Sequence, residues 1–203
     1  LLGRFNFSNI LAVIATLISL VTREDSGHID LAKILDSISS LGSVDGRMEI
    51  VNGSNEITTI VDYAHTPDSL RNALETLKCH FKGEIWCVFG CGGNRDEGKR
   101  PIMGKIAESF ADHIVITDDN PRNEPGDRIV SQILSGIQKR RNVSIIRNRA
   151  KAISHAITNA SPADLIFIAG KGHETYQEIS GRRVIFSDKV HAKSALRARG
   201  SIA

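Results

Sequence analysis

Apolar positions fall into two regimes along the chain. Over residues 8–21 they are nearly continuous, as a largely buried helix requires, and "HIDLAKILDSISSL" (28–41) has the amphipathic spacing of a second helix. After "GSVDGRMEIV" the texture changes to short β-branched or aromatic runs at 58–63, 85–90, 113–118, 143–146 and 165–170. Amphipathic segments between them predict helices over 67–80, 101–111, 127–139 and 149–160. Strands apolar on both faces and separated by helices imply a parallel sheet covered on both sides. The expected fold class is therefore α/β, a Rossmann-like, mostly parallel sheet with helices on both faces, preceded by a helical remnant. The segments flanking Gly181 predict a terminal hairpin, and 189–199 predicts a last helix. The boundary between the two textures falls near Gly42, giving segments 1–42 and 43–203.

Composition narrows the classes of function. The 203 residues suit one ordinary domain or one domain plus a remnant of another, and 41% hydrophobic content supplies a sizeable core. The net charge of +3 comes from cations scattered among 23 acidic residues, so no nucleic-acid surface is suggested. Cys79, Cys87 and Cys91 lack a paired CxxC spacing and read as reduced thiols of a cytoplasmic, monomeric protein. The longest early apolar run, "NILAVIATLISLV", has 13 residues, too few to span a bilayer as a helix. It also lacks a basic leader and a cleavage site. The chain opens inside a helical region without a methionine and reads as a fragment.

In an open α/β sheet, ligands collect outside the carboxyl ends of the strands. The segments placed there are "DYAHTPD", "GCGGNRDEGKR", "DDNPR" and "GKGHE", all charged or glycine-rich. Each has a plain structural reading: Thr66-Pro67 is a helix cap with a first-turn proline, Pro101 starts a helix similarly, and Asn-Pro favours a turn. Four such loops on one rim point to a shared pocket. A nicotinamide site is disfavoured, because a GxGxxG starting at Gly90 would need glycine where Arg95 stands. A non-catalytic amino-acid-binding module remains the rival from another class.

The segments "FNFSN", "GRMEI", "VDYAHTPDSL", "FGCGGNRDEGKRPIMG", "TDDNPRNE" and "AGKGHETYQ", in this order and spacing, resemble the Mur ligase family over essentially the whole chain. The resemblance implies ATP-dependent amide synthesis through an acyl phosphate, with a UDP-sugar dipeptide, an amino acid and ATP as substrates. Residues 43–203 then correspond to the family's C-terminal, amino-acid-binding domain, and 1–42 to the tail of its central ATPase domain. No GxxxxGK[ST] phosphate loop occurs here. The Mg2+ ligands are accordingly expected upstream, no metal role is assigned, and the chain alone is expected to be inactive.

Residue by residue, the resemblance places Asn6 and Asn9 near adenine, Arg47 at phosphate or ribose, Asp62 at the ribose, and His65 beside the nucleotide. The DNPR motif resembles that of members using meso-diaminopimelate, whose distal end carries both a carboxylate and an ammonium. Arg95 and Arg122 can supply paired N–H donors to the carboxylate, and Asp119 and Glu174 can accept from the ammonium. Asn120 adds a neutral hydrogen-bonding group, Pro121 stiffens the loop, and Gly170 permits close backbone approach. A sister ligase adding another amino acid is the alternative. Arg122 argues against lysine, which has no distal carboxylate. The plain reading of Arg122 is a solvated ion pair with Asp118 or Asp127. His173 is assigned to binding or loop structure, and the catalytic residue stays unidentified.

Overall fold

Two strands of the protein leave no face for water. Every residue of Ile85–Phe89 (β3) and of Leu165–Ala169 (β6) is buried, and these strands pair in parallel at the centre of the sheet. Thr58–Asp62 (β2) lies beside β6, while His113–Ile116 (β4) and Val143–Ile145 (β5) extend the sheet beyond β3, all in parallel. The computed structural model describes residues 4–23, 31–39, 42, 44–51 and 57–200. It divides the chain into two compact units, Leu1–Ser43 and Val44–Ala203. The five parallel strands of the second unit match the expected runs to within one or two residues at their ends.

Glu49–Val51 (β1), which the hydrophobic pattern did not announce, pairs antiparallel with the outer edge of β2 to complete the order β1-β2-β6-β3-β4-β5. With only three residues, β1 offers too short a period to register. The connecting helices are Pro67–His80 (α3), Lys99–Phe110 (α4), Gly126–Leu134 (α5) and Arg149–Asn159 (α6). α3 starts as its sequence dictates: Thr66 and Ser69 form a reciprocal capping box and Pro67 occupies the first turn. Pro101 instead is the third residue of α4, still within the first turn, where a backbone N–H would have no intrahelical acceptor to lose. α5 ends at Leu134, earlier than expected, and Gly136 explains the close approach that follows: a Cβ there would lie 1.8 Å from the Pro101 carbonyl oxygen.

Because side chains alternate across each strand, one face of the sheet presents Val61, Val88, Val115, Ile166 and Ile168. These pack on Ala152, Ile153 and Ile157 of α6 and on Ala192 and Leu196 of the final helix, Asp188–Gly200 (α7). α3, α4 and α5 cover the other face. Tyr176–Ile179 (β7) and Arg182–Ile185 (β8) form the terminal hairpin, separate from the main sheet. The first unit contains Arg4–Arg23 (α1) and Leu31–Ser39 (α2). α1 is not the largely buried helix its composition suggested: Leu11 is 64% and Leu20 55% exposed.

A buried ion pair joins the ends of α6 and α7. Arg149 donates through Nε and Nη2 to the two carboxylate oxygens of Asp188 at 2.7 and 2.8 Å, and through Nη2 to the carbonyl of Ala169 at 2.9 Å. Neither side chain reaches solvent. Asp188→Ala strands the guanidinium and is expected to cost about 3–5 kcal/mol in urea unfolding, whereas Arg149→Met combined with Asp188→Leu should cost far less than the single change. Equal losses from both variants would show that packing, not charge, governs this joint.

Candidate functional site

The carboxyl ends of β2, β3, β4 and β6 converge on a cleft of about 420 Å³, so the four polar loops do share one rim. The loop after β2 contributes Tyr63, His65 and Thr66; the loop after β3 contributes Gly92, Arg95 and Asp96, with Lys99 from α4. Asp119, Asn120 and Arg122 come from the loop after β4, and Gly170 and Glu174 from the loop after β6. Six of the seven residues expected to read the amino acid therefore line one cavity.

The seventh, Pro121, is buried and does not line it; its carbonyl accepts the Glu124 N–H at 3.0 Å and lies where a Cβ on Gly93 would come within 1.9 Å. Its contribution is to hold two loops together at a glycine. Gly170 lines the cleft at φ +118°, a conformation that demands glycine more strongly than the available space does.

Of the residues expected around the nucleotide, His65 lines the cleft, with Nδ1 2.8 Å from the Tyr63 carbonyl. Arg47 is exposed and places its guanidinium 4.6 Å from the centre of the Tyr63 ring. Asp62 is nearly buried, and each of its oxygens accepts a backbone N–H at 2.8 Å, from Met48 and from Ala64. Burial pushes its carboxyl up despite those bonds. Asn9 lies exposed in α1, and the side chain of Asn6 falls outside the described residues.

The anionic side of the cleft is organised by a lysine that the sequence reading passed over. Lys171, fully buried, donates to Asn120 Oδ1 and Glu174 Oε2, each at 2.9 Å, and lies 3.4 Å from Asp119 Oδ1. Asn120 Nδ2 also donates to Glu174 Oε2 at 3.0 Å. Burial pushes the Glu174 carboxyl up, but its bonds from Lys171 and Asn120 outweigh that and hold it below the usual range.

On the cationic side, Arg122 occupies the left-handed region at φ +54°. Its backbone is pinned to the hairpin by Arg122 N–H to Glu178 O at 2.9 Å and Ser180 N–H to Arg122 O at 2.7 Å. Its side chain donates to Gly93 O at 2.9 Å and approaches Glu178 Oε2 at 3.3 Å. The ion pair with Asp118 or Asp127 does not form, because both carboxylates are taken by Arg147. Arg95 is exposed, with no hydrogen bond or ion pair among the described residues. Those residues contain no group of three metal-binding side chains and no helix long and apolar enough to cross a membrane.

Arg100 was also missed. Fully buried, it donates to Glu124 at 2.6 and 2.8 Å and to the Gly92 carbonyl at 3.0 Å, clamping the loop after β3 to the loop after β4. The signal was available in "EGKRP", where an arginine falls on the inner face of a helix, but arginine in a charged stretch is ordinarily solvated.

Comparison with known proteins identifies the family and several relatives. Residues 46–172 match the family described as Mur ligase, glutamate ligase domain. The chain is 50% identical over 189 residues to the UDP-N-acetylmuramoyl-L-alanyl-D-glutamate–2,6-diaminopimelate ligase of Haemophilus influenzae strain PittGG, covering 93% of this chain and 37% of that protein. Its counterpart in strain PittEE is 49% identical over the same coverage. A solved structure of a ligase of the same name has 41% identity and a TM-score of 0.76, covering 98% of this chain and 40% of that one. The chain thus spans a little over a third of the length of the curated relatives.

The Arg100 clamp has a pH signature. Its hydrogen bond, aided by the Asn94 N–H, holds the Glu124 carboxyl at about 2, against an ordinary 4.5. A carboxyl depressed in the folded state adds stability that is complete above the unfolded value and is lost as pH falls through the folded one. Glu124→Gln should therefore cost about 2 kcal/mol at pH 7, and the gap to the unmodified protein should close between pH 4.5 and 2. A gap independent of pH in thermal unfolding would exclude the clamp.

Proposed function

The chain belongs to the Mur ligase family, and from that premise we propose that it forms the amino-acid-binding part of a ligase that joins meso-diaminopimelate to a UDP-N-acetylmuramoyl dipeptide. The observation that carries this reading is the pairing of unlike charges in one cleft: Asp119 and Glu174 on one side, Arg95 and Arg122 on the other. A ligand end bearing one ammonium and one carboxylate satisfies both; a simple anion or cation satisfies one and leaves the other desolvated.

Each side retains capacity for a ligand. Asp119 Oδ2, Glu174 Oε1 and the Arg95 guanidinium have no hydrogen-bond partner among the described residues, and Arg122 uses only Nη1 and Nε internally. The residues hold the distal end, which leaves the other amine free to attack an acyl phosphate. In that step the N–C bond forms, the C–O bond to phosphate breaks, phosphate leaves with its electron pair, and the amine gives up a proton.

ATP, when bound, supplies the phosphoryl group that activates the accepting carboxylate. The exposed Arg47, stacked on Tyr63 beside His65, suits a phosphate or ribose at the edge of this unit. Asp62 can accept from a ribose hydroxyl only through lone pairs left beside its two backbone donors. Asn6 and Asn9 are assigned to adenine on the family resemblance alone. No Mg2+ ligand is assigned to this chain, and no step is drawn through the metal.

The test uses the complete ligase containing this chain, with Arg122 changed to alanine or glutamine. Loss of the charge-assisted contact should lower kcat/KM for meso-diaminopimelate by roughly 30-fold to 1,000-fold. Lysine, lacking the distal carboxylate, should lose far less. Equal losses for both amino acids, or no loss for diaminopimelate, would refute the assignment of Arg122.

A further inference from the structure

Resting on that functional reading, we propose that Lys171 is a positioning residue that makes the anionic half of the cleft selective for a ligand end carrying a single ammonium. The argument is one of valence and charge. An ammonium has three N–H donors, and three acceptors surround Nζ of Lys171: Asn120 Oδ1, Glu174 Oε2 and Asp119 Oδ1. Its side chain is fully buried and does not line the cleft, so Lys171 acts through these groups.

From each carboxylate it takes one oxygen. Asp119 Oδ2 and Glu174 Oε1 remain, on residues that face the cavity. Two carboxylates against one lysine leave one net negative charge, which one ligand ammonium neutralises. The lysine also joins two loops: Asp119 and Asn120 follow β4, and Glu174 follows β6. Asn120 Oδ1 accepts the Glu178 N–H as well, at 2.9 Å, which extends the arrangement to the hairpin that anchors Arg122.

Without the lysine, two carboxylates would face each other with no internal cation. Their mutual repulsion would then be uncompensated and the pair would lose its fixed spacing. The neighbouring Arg149 adds no net charge there, because its own is paired with Asp188, although its Nη1 has no hydrogen-bond partner. Lys171 therefore discriminates between ligands by the group at the ammonium position, while Arg122 and Arg95 attend to the carboxylate.

Calorimetric titration of the complete ligase, unmodified and as Lys171→Met, separates these roles. Two ligands are used: meso-diaminopimelate, and 2-aminopimelate, which keeps the distal carboxylate but lacks the distal amine. The variant should bind meso-diaminopimelate about 30-fold more weakly, 2-aminopimelate within about 3-fold of the unmodified value, and ATP unchanged. Equal weakening of both pimelates and ATP would mean a general structural role and overturn the proposal, as would unaltered meso-diaminopimelate binding. Failure of the unmodified ligase to bind meso-diaminopimelate would instead overturn the functional reading beneath it. Should Lys171→Met not fold, the double variant with Glu174→Gln, which removes one charge of each sign, should recover a native circular dichroism spectrum at pH 8; if it does not, the charge-balancing role is excluded.

Discussion

Where a parallel strand ends, the hydrogen-bond ladder ends with it, and carbonyls near the core need another donor. In this protein buried cations take over. Arg149 donates to the carbonyl of Ala169 at the end of β6, and Arg100 to that of Gly92 just beyond β3. Lys171 binds the side-chain carbonyl of Asn120 beyond β4. Each cation finds its counter-ion on a different segment: Asp188 in α7, Glu124 before α5, and Asp119 across the cleft floor. The cleft is consequently framed by cross-links between loops, and its shape does not depend on any one loop's own preferences.

That dependence explains what could be read from the sequence. A strand buried on both faces announces itself by composition, so β3 and β6, and with them the parallel sheet, were legible. The rule that ligands gather at strand carboxyl ends then places the loops carrying Arg95, Asp119, Asn120, Arg122, Gly170 and Glu174 on one rim from sequence alone. β1 escaped because three residues carry no period. Lys171 and Arg100 escaped for another reason: a cation reads as solvated unless its partners are known, and those across the cleft lie 52 residues from Lys171 for Asp119 and 51 for Asn120, while Glu124 lies 24 from Arg100. Pairings of that range are set by topology, which local pattern does not encode.

Arg122 illustrates how local and long-range determinants combine. The chain around it is a turn sequence, and a turn allows the left-handed backbone, but for a residue with a Cβ that conformation is uphill by about 1 kcal/mol. Two backbone hydrogen bonds to the hairpin hold it there, and the side chain is then aimed by Gly93 O on one side and Glu178 on the other. Asp118 and Asp127 would have been nearer in sequence, yet Arg147 engages both. Their removal from competition leaves the guanidinium at the cavity, not folded back on its own loop.

A pocket that must recognise a zwitterionic end faces a general difficulty, because its own opposite charges can neutralise each other and close the space. Here three of the four charged groups are restrained by a partner, Lys171 behind Asp119 and Glu174, Gly93 O and Glu178 beside Arg122, whereas Arg95 carries no such restraint among the described residues. The restraint occupies only part of each group's hydrogen-bonding capacity. Asp119 and Arg122 share the loop after β4, but they are held by different anchors, Lys171 for the one and Gly93 O with Glu178 for the other, so the pair would have to exchange those bonds to satisfy one another. For the ligand proposed above, the desolvation already borne in folding would work in its favour, since the remaining lone pairs of Asp119 and Glu174 and the free N–H groups of Arg122 are held in place before it arrives.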